Sequence, residues 1–406
     1  MVRKNYKLLQ VKRFFEKLVE GSLLISGSIT SITILLIVIF LFKEASGLFN
    51  TPVVEEGYVL ALNKENKVKH LSSYQIKEIF DSEITNWSEV GGEDLAIELV
   101  RLSDMTNYYT EEELGAEFEH IPAKASELTA KTPGIILFLP KQYVAKNFEG
   151  VLFDHETIKP GDFFSGSEWY PTSTPSAQYG LLPLILGTFW VSLGAILLAL
   201  PFGLAVSVYL AEIATMRVRN VLKPLIELLA GIPSVVYGFF GLVVIVPFLQ
   251  TSFGLPVGET ALAGSIVLGI MALPTIITVA EDAMRTVPRS MKEASLALGA
   301  THWQTIYKVI IPYAKSGLLS AAVLGIGRAI GETMAVLMVT GNAAVIPHTL
   351  LEPVRTIPAT IAAELGEAPA GSGHYMALFA LGAILFVITL VLSISAEFIS
   401  KKKYAK

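Results

Sequence analysis

The chain contains no cysteine, which excludes disulfides, thiolate catalysis and cysteine-based metal sites together. Its histidines, His70, His120, His155, His302, His348 and His374, are scattered without ligand spacing, so no metal site is expected. No G-x4-G-K-[ST] occurs along it, so ATP binding through a P-loop is not expected either. Neither catalytic residues nor a cofactor are indicated. Charge is sparse, at 17% of 406 residues with a formal net charge of −5. Without a basic field, a nucleic-acid partner has no electrostatic support. Apolar side chains are abundant instead, at 52% of the chain with a mean hydropathy of +0.56. That is too apolar for an ordinary soluble protein of this length and points to the lipid bilayer as its surroundings.

A spanning helix needs about 20 mostly apolar residues, because the hydrocarbon core is about 30 Å thick. Charge-free runs meet this from Gly21 to Phe42, Gly180 to Ala211, Leu228 to Gly258, Thr260 to Ala280 and Tyr375 to Ala396. Another, from about Gly317 to Asn342, qualifies if Arg328 and Glu332 are tolerated inside it. Lys and Arg in short flanks mark the cytoplasmic side. Arg3, Lys4, Lys7, Lys12, Arg13 and Lys17 precede the first run, and Lys401, Lys402, Lys403 and Lys406 follow the last. Arg217, Arg219 and Lys223, then Arg285, Arg289, Lys292, Lys308 and Lys315, flank the inner loops. Both termini are therefore expected in the cytoplasm, with residues 50–180 extracytoplasmic. The first run exceeds a signal-peptide h-region and meets Lys43 and Glu44 where an A-x-A site would stand, which favours an uncleaved anchor.

Between the first two runs lies a polar stretch of acidic balance, with Glu111, Glu112, Glu113, Glu117 and Glu119 clustered. Strands are expected over Gly57–Leu62, Ala96–Leu102 and Gly134–Leu139, and a Ser-capped helix over Ser72–Phe80. An inserted α/β or α+β domain follows, placed at residues 50–162 between a first segment, 1–49, and a core, 163–406.

The loop at residues 286–316 carries helix signals of its own. Pro288 suits a first turn, Gly299 a C-terminal cap, and Thr301 with Gln304 a capping box. Met291, Ala294 and Leu298 fall on one side of the first helix, and Trp303, Ile306, Tyr307 and Ile310 on one side of the second. Two apolar stripes facing the cytosol need a cover: a partner's groove, or lipid headgroups. Glu293-Ala294-Ser295, three residues, Gly299, nine residues, then Val309-x-Ile311-Pro312 resembles the E-A-A-x3-G-x9-I-x-L-P loop of bacterial ABC importer permeases. The resemblance implies that this helix docks into an ATPase subunit. Glu293 and Ala294 would meet the ATPase, Gly299 would allow the turn, and Ile311 with Pro312 would set the exit into the next span.

In the charged run, a rise of 1.5 Å per residue puts Arg328 about 18 Å and Glu332 about 24 Å from the cytoplasmic end. Each costs at least about 2.5 kcal/mol there unless it faces protein or water. Their i, i+4 spacing puts them on one face of a continuous helix, as a packing ion pair or as a substrate site. Gly325, Gly327 and Gly331 would let neighbouring helices approach. The stretch GRAIGETMAV, with GIPSVVYGFFG from Gly231 and YGLLPLILGT from Tyr179, is similar to the C-type permease subunits of bacterial phosphate ABC transporters. That resemblance implies an all-α polytopic membrane protein with six transmembrane helices in the type I ABC importer permease fold. It also implies a plasma (inner) membrane location, a separate ATPase dimer, a second homologous permease subunit and an extracytoplasmic phosphate-binding protein. Arg328 and Glu332 would then line the substrate path, with sulfate or molybdate as rival oxyanions and a membrane-anchored sensor as a rival class. The run from Leu71 to Asp104 resembles a segment of periplasmic phosphate-binding proteins. There the strand ending at Arg101 would lead into an oxyanion loop, although the glycine such a loop wants is missing; a spacer or docking domain is the other reading.

Overall fold

The computed structural model describes residues 2–115, 117–153 and 156–401. His155, Lys402, Lys403 and Lys406 lie outside them. The first helix, Val2–Gly47, begins well before Gly21, because the preceding residues include neither Gly nor Pro and are rich in good helix formers. Its stretch Glu16–Asn50 is long and apolar enough to cross a membrane (span one). Further spans are Leu182–Ile213 (two), Ser234–Phe253 (three), Ala261–Arg285 (four) and Gly373–Ser395 (six). The helices His302–Tyr313 and Lys315–Gly331 qualify together as span five, bent by 71° between them.

Two of the expected runs are interrupted. Span three does not start at Leu228: residues 228–231 end a separate helix, Met216–Gly231, and Pro233 stands at the break. Pro biases the residue before it to extended backbone, and Ile232 lies at ψ 129°. Tyr237 then donates its hydroxyl to the Leu229 carbonyl at 2.8 Å, closing the open C-terminal end of Met216–Gly231. Span five is also not one helix to Asn342. It stops at Gly331, Glu332 is extended at φ −72° and ψ 136°, and a short helix, Met334–Val339, follows. Gly327 and Gly331 in the last turn weaken the helix just before that point.

Span four is the centre of the bundle, packed on span two and on Lys315–Gly331. The packing relies on small residues. A Cβ at Gly325 would come within 2.7 Å of Ile276 in span four, whereas one at Gly327 or Gly331 would meet nothing within 4 Å. Of these three glycines, Gly325 alone meets another helix among the described residues. Span one lies against span six, with Phe40 on Phe379 and Phe42 on Phe386 edge to face.

The inserted domain is built on a mixed sheet of strands β1 (Tyr58–Asn63), β2 (Glu98–Arg101), β3 (Ile135–Pro140) and β4 (Gly150–Phe153), in the order β2-β3-β1-β4. β1 pairs antiparallel with β3 and β4, and β2 runs parallel to β3. Alternation gives β1 and β3 two buried faces. Val59, Ala61, Ile135, Leu137 and Leu139 pack under the helix Ile121–Lys131, while Leu60, Leu62 and Ile136 pack with Ile76 and Ile79 of the helix Ser73–Phe80. Ser72 caps that helix in a capping box with Gln75.

The second of these clusters does not stop at the domain. It runs through Leu48, Trp169 and Tyr179 into Leu184 of span two and Ala377, Leu378 and Leu381 of span six. Burying a tryptophan such as Trp169 removes about 150–250 Å², worth about 4–6 kcal/mol gross. Gln178 donates to the Ser73 carbonyl at 2.8 Å and Ser176 to the Val53 carbonyl at 2.8 Å, so polar bonds follow the apolar seam. Glu364 gathers the junction. It accepts from Arg355 at 2.6 Å and from Trp169 at 3.0 Å, and His374 stands 2.9 Å away. Burial pushes its carboxyl up, but the hydrogen bonds from His374 and Trp169 and the Arg355 charge outweigh burial and hold it below the usual carboxylate range.

Candidate functional site

Arg328 reaches out of span five and donates to the Thr275 hydroxyl of span four at 3.0 Å. Thr275 follows Pro274, which sits inside span four. The guanidinium is thereby pinned at one nitrogen, with its other donors left for something else. Glu332 does not share a helix face with it, since the helix has ended and the carboxylate hangs from extended backbone. Among the described residues no ion pair joins the two. The i, i+4 expectation therefore fails, because it required a helix that the glycines do not sustain. What remains is a half-buried cation and a half-buried carboxylate at a break in a span. Irregular backbone at such depth is tolerated where it is covered by protein or lines a cavity.

The 286–316 segment forms a helix, Arg289–Ala297, then a turn through Gly299 at φ +83°, a short helix, His302–Thr305, a wide turn, Ile306–Ile310, and Ile311–Tyr313. The capping box of Thr301 and Gln304 is present, and Ser295 and Thr305 hydroxyls meet at 3.0 Å across the turn. Glu293, Ala294, Gly299 and Pro312 are exposed, and Ile311 is half-buried. Pro312 lies next to the 71° bend, whose hinge is Ala314. The second apolar stripe splits in two. Ile306 and Ile310 are fully buried with Met284, Val287 and Ala314 at the end of span four. Trp303, Tyr307 and Leu298 stay exposed, Leu298 at 89%. An uncovered leucine beside an uncovered tryptophan is the kind of patch that a partner covers.

Three polar residues with structural roles escape the sequence reading, two of them at this end of the bundle. Glu281, 1% exposed, accepts from Arg219 at 2.6 and 2.9 Å, with Lys223 at 3.4 Å and Arg285 at 3.5 Å. Part of the basic flank thus neutralises a buried carboxylate rather than standing free. Glu212, at the end of span two, binds Lys292 at 2.6 Å. Thr275 is the third. Glu281 directly follows an apolar run and Glu212 directly precedes Ile213, and such flanking acids near several Lys and Arg were the available signal.

In the inserted domain, the turn after β2 is closed by its own acid. Asp104 accepts from the Arg101 backbone N–H at 2.9 Å, and Ser103 donates to the same carboxylate at 3.2 Å. Tyr108 donates to Glu98 at 2.7 Å, and that hydrogen bond, with burial, pushes its hydroxyl up to about 12. The Arg101 backbone N–H and the Ser103 and Tyr108 hydroxyls thus serve the chain's own carboxylates, while the Arg101 guanidinium lies 5.5 Å over the Phe80 ring.

A family profile described as the inner membrane component of binding-protein-dependent transport systems matches residues 203–403. The probable ABC transporter permease protein YqgH of Bacillus subtilis is 42% identical over 246 residues, covering 61% of this chain and 79% of that one. The chain belongs to this permease family. A phosphate transport system permease protein PstC from Mesorhizobium japonicum is 40% identical over 253 residues, covering 57% of the permease and 76% of that protein. A chain of the solved MetNI methionine ABC transporter, in an inward-facing conformation, aligns over 55% of the permease and 93% of its own length at 20% identity, with a TM-score of 0.42. A profile of the PBP superfamily domain matches residues 39–147. The permease is therefore a multi-pass inner-membrane protein, all-α in its spans, with an inserted mixed-sheet domain.

Proposed function

We propose that the permease is a membrane subunit of an ATP-driven phosphate importer, with Arg328 and Glu332 lining its substrate path. The observation that carries the phosphate reading is Arg328, a guanidinium in span five tethered at one nitrogen only, in a chain whose relatives include proteins named phosphate permeases. The planar fork matches phosphate oxygens. Glu332 accepts a hydrogen bond from the hydroxyl of hydrogen phosphate, or balances Arg328 between cycles. Sulfate has no hydroxyl to donate and would leave that carboxylate unpaired, which is the kind of mismatch that discriminates strongly.

The 286–316 segment is read as the coupling loop. Glu293 and Ala294 contact the ATPase, Gly299 turns the chain, and Ile311 with Pro312 carries motion into span five. Support comes from the exposure of Glu293, Leu298, Trp303 and Tyr307 on one short stretch. The assembly consists of two ATPase subunits, this permease, a second homologous permease and an extracytoplasmic binding protein. Both termini face the cytoplasm and residues 50–180 lie outside, following the distribution of Lys and Arg. The division at residues 49 and 162 separates the first span and inserted domain from the core.

Labelled phosphate uptake into membranes holding the assembled complex is expected to require the ATPase subunit and to survive an excess of sulfate or molybdate. Equal competition by sulfate would return the cargo to the wider oxyanion class. For the inserted domain, a docking or spacer role is favoured by the self-satisfied turn at Arg101 and Asp104. Arg101→Ala is expected to change the phosphate affinity of uptake by less than about twofold, since surface substitutions away from a working site are usually within about 0.5 kcal/mol. A clear rise in the half-saturating phosphate concentration would instead give the domain a phosphate site.

A further inference from the structure

The coupling loop is covalently joined to spans four and five, yet its polar contacts lead to span two. Lys292, the neighbour of Glu293, donates to the Glu212 carboxylate at 2.6 Å. Glu212 is almost enclosed, with 5% of its side chain exposed, and Lys292 retains 24%. His302, from the other helix of the loop, lies with Nε2 3.0 Å from the Glu212 backbone carbonyl. A carbonyl only accepts, so Nε2 carries the hydrogen. Span two ends here: its last turn is the wide Tyr209–Ile213 turn, and Ala214 is extended. Helix C-termini present unpaired carbonyls and a negative dipole end, which cations and donors complement. Both helices of the loop therefore meet the terminus of span two, one on each side of the Gly299 turn. Val208 and Ala211 of span two pack on the same apolar cluster as Ile306 and Ile310.

We propose that the Glu212–Lys292 pair is a transmission joint, through which the coupling loop moves span two together with spans four and five. The proposal rests on reading the segment as a coupling loop. Its physical basis is the contrast between the two neighbours on one helix. Glu293 points to solvent, available to a partner, while Lys292 is fixed to the membrane bundle. A force applied at Glu293 reaches span two through a charge-assisted hydrogen bond. The Ser295–Thr305 contact, at 3.0 Å, keeps the two helices of the loop moving as one piece. Lys292 and Glu212 are positioning residues and touch no cargo.

The test uses the full transporter co-expressed with its ATPase and reconstituted in vesicles, with transported phosphate and hydrolysed ATP measured in parallel. Glu212→Gln and Lys292→Gln are expected to retain the ATPase at wild-type stoichiometry while phosphate moved per ATP falls about tenfold, the scale of one lost charged hydrogen bond. Lys292→Arg keeps the wild-type ratio, and the double exchange Glu212→Lys with Lys292→Glu regains most of it. An unchanged ratio in both Gln variants overturns the joint. So does a double exchange that stays as uncoupled as the single variants, or a Gln variant that loses the ATPase, which would make the pair part of docking or folding. Failure of the wild-type complex to retain any ATPase would be a separate result, against the coupling-loop reading itself.

Discussion

Replacing Arg328 with Gln is expected to lower phosphate uptake by about 10- to 100-fold, with the ATPase still bound. The magnitude follows from the net loss of one charged hydrogen bond to the cargo, worth about 1.5–3 kcal/mol. Glutamine ends two bonds short of the Arg328 terminal nitrogens and offers neither charge nor a two-pronged donor. Arg328→Lys separates the two contributions: it keeps the charge and loses the fork, so intermediate uptake is expected. The measurement is initial uptake rate against phosphate concentration, in membranes where the assembled complex has been quantified. Unchanged uptake in Arg328→Gln would remove Arg328 from the path, leaving it as a packing residue that ties span five to span four through Thr275.

The other large effect is expected at Gly299. Its φ of +83° is a conformation that side chains rarely adopt, although a Cβ there would touch nothing within 4 Å. Gly299→Val therefore acts through the backbone alone, at a cost of order 1–3 kcal/mol, and β-branching adds to it. The turn can relieve that strain only by opening, which separates Ser295 from Thr305 and moves Glu293, Leu298 and Trp303 off a common surface. Loss of the ATPase on co-purification from membranes is the expected result. Gly299→Asn, which tolerates left-handed backbone, should retain much more of the ATPase than Gly299→Val. If both retained it equally, the geometry of the turn would not matter for docking.

Much of this architecture is legible in the sequence because the bilayer makes length and polarity decisive. Spans two, four and six and the strands β1, β2 and β3 fall within a few residues of where apolar length and alternation put them. Caps are equally readable: Ser72, Thr301 and Gly299 do locally what their side chains, or lack of one, dictate. Failures cluster where local rules meet tertiary demands. The Trp303 and Ile310 stripe follows helical spacing, but the wide turn at Ile306–Ile310 rotates half of it into the bundle. Glu332 lies one residue beyond a helix end that hydropathy does not report. Glu281 and Lys292 read as unremarkable flanks because their partners, Arg219 and Glu212, are 62 and 80 residues away. No periodicity argument reaches across such separations.

The shared core of the inserted domain also sets an order of events during synthesis. Trp169 is buried at a junction whose carboxylate, Glu364, is translated 195 residues later. Ala377, Leu378 and Leu381, which cover the same cluster, follow that. The sheet's other face, under Ile121–Lys131, uses only residues of the domain and can close early. The opposite face is covered by Ile76 and Ile79 of Ser73–Phe80, but the cluster they belong to stays incomplete until span six has entered the membrane. The domain therefore finishes folding last although it is made first, and a chain truncated before Gly373 would leave this apolar surface exposed to quality control.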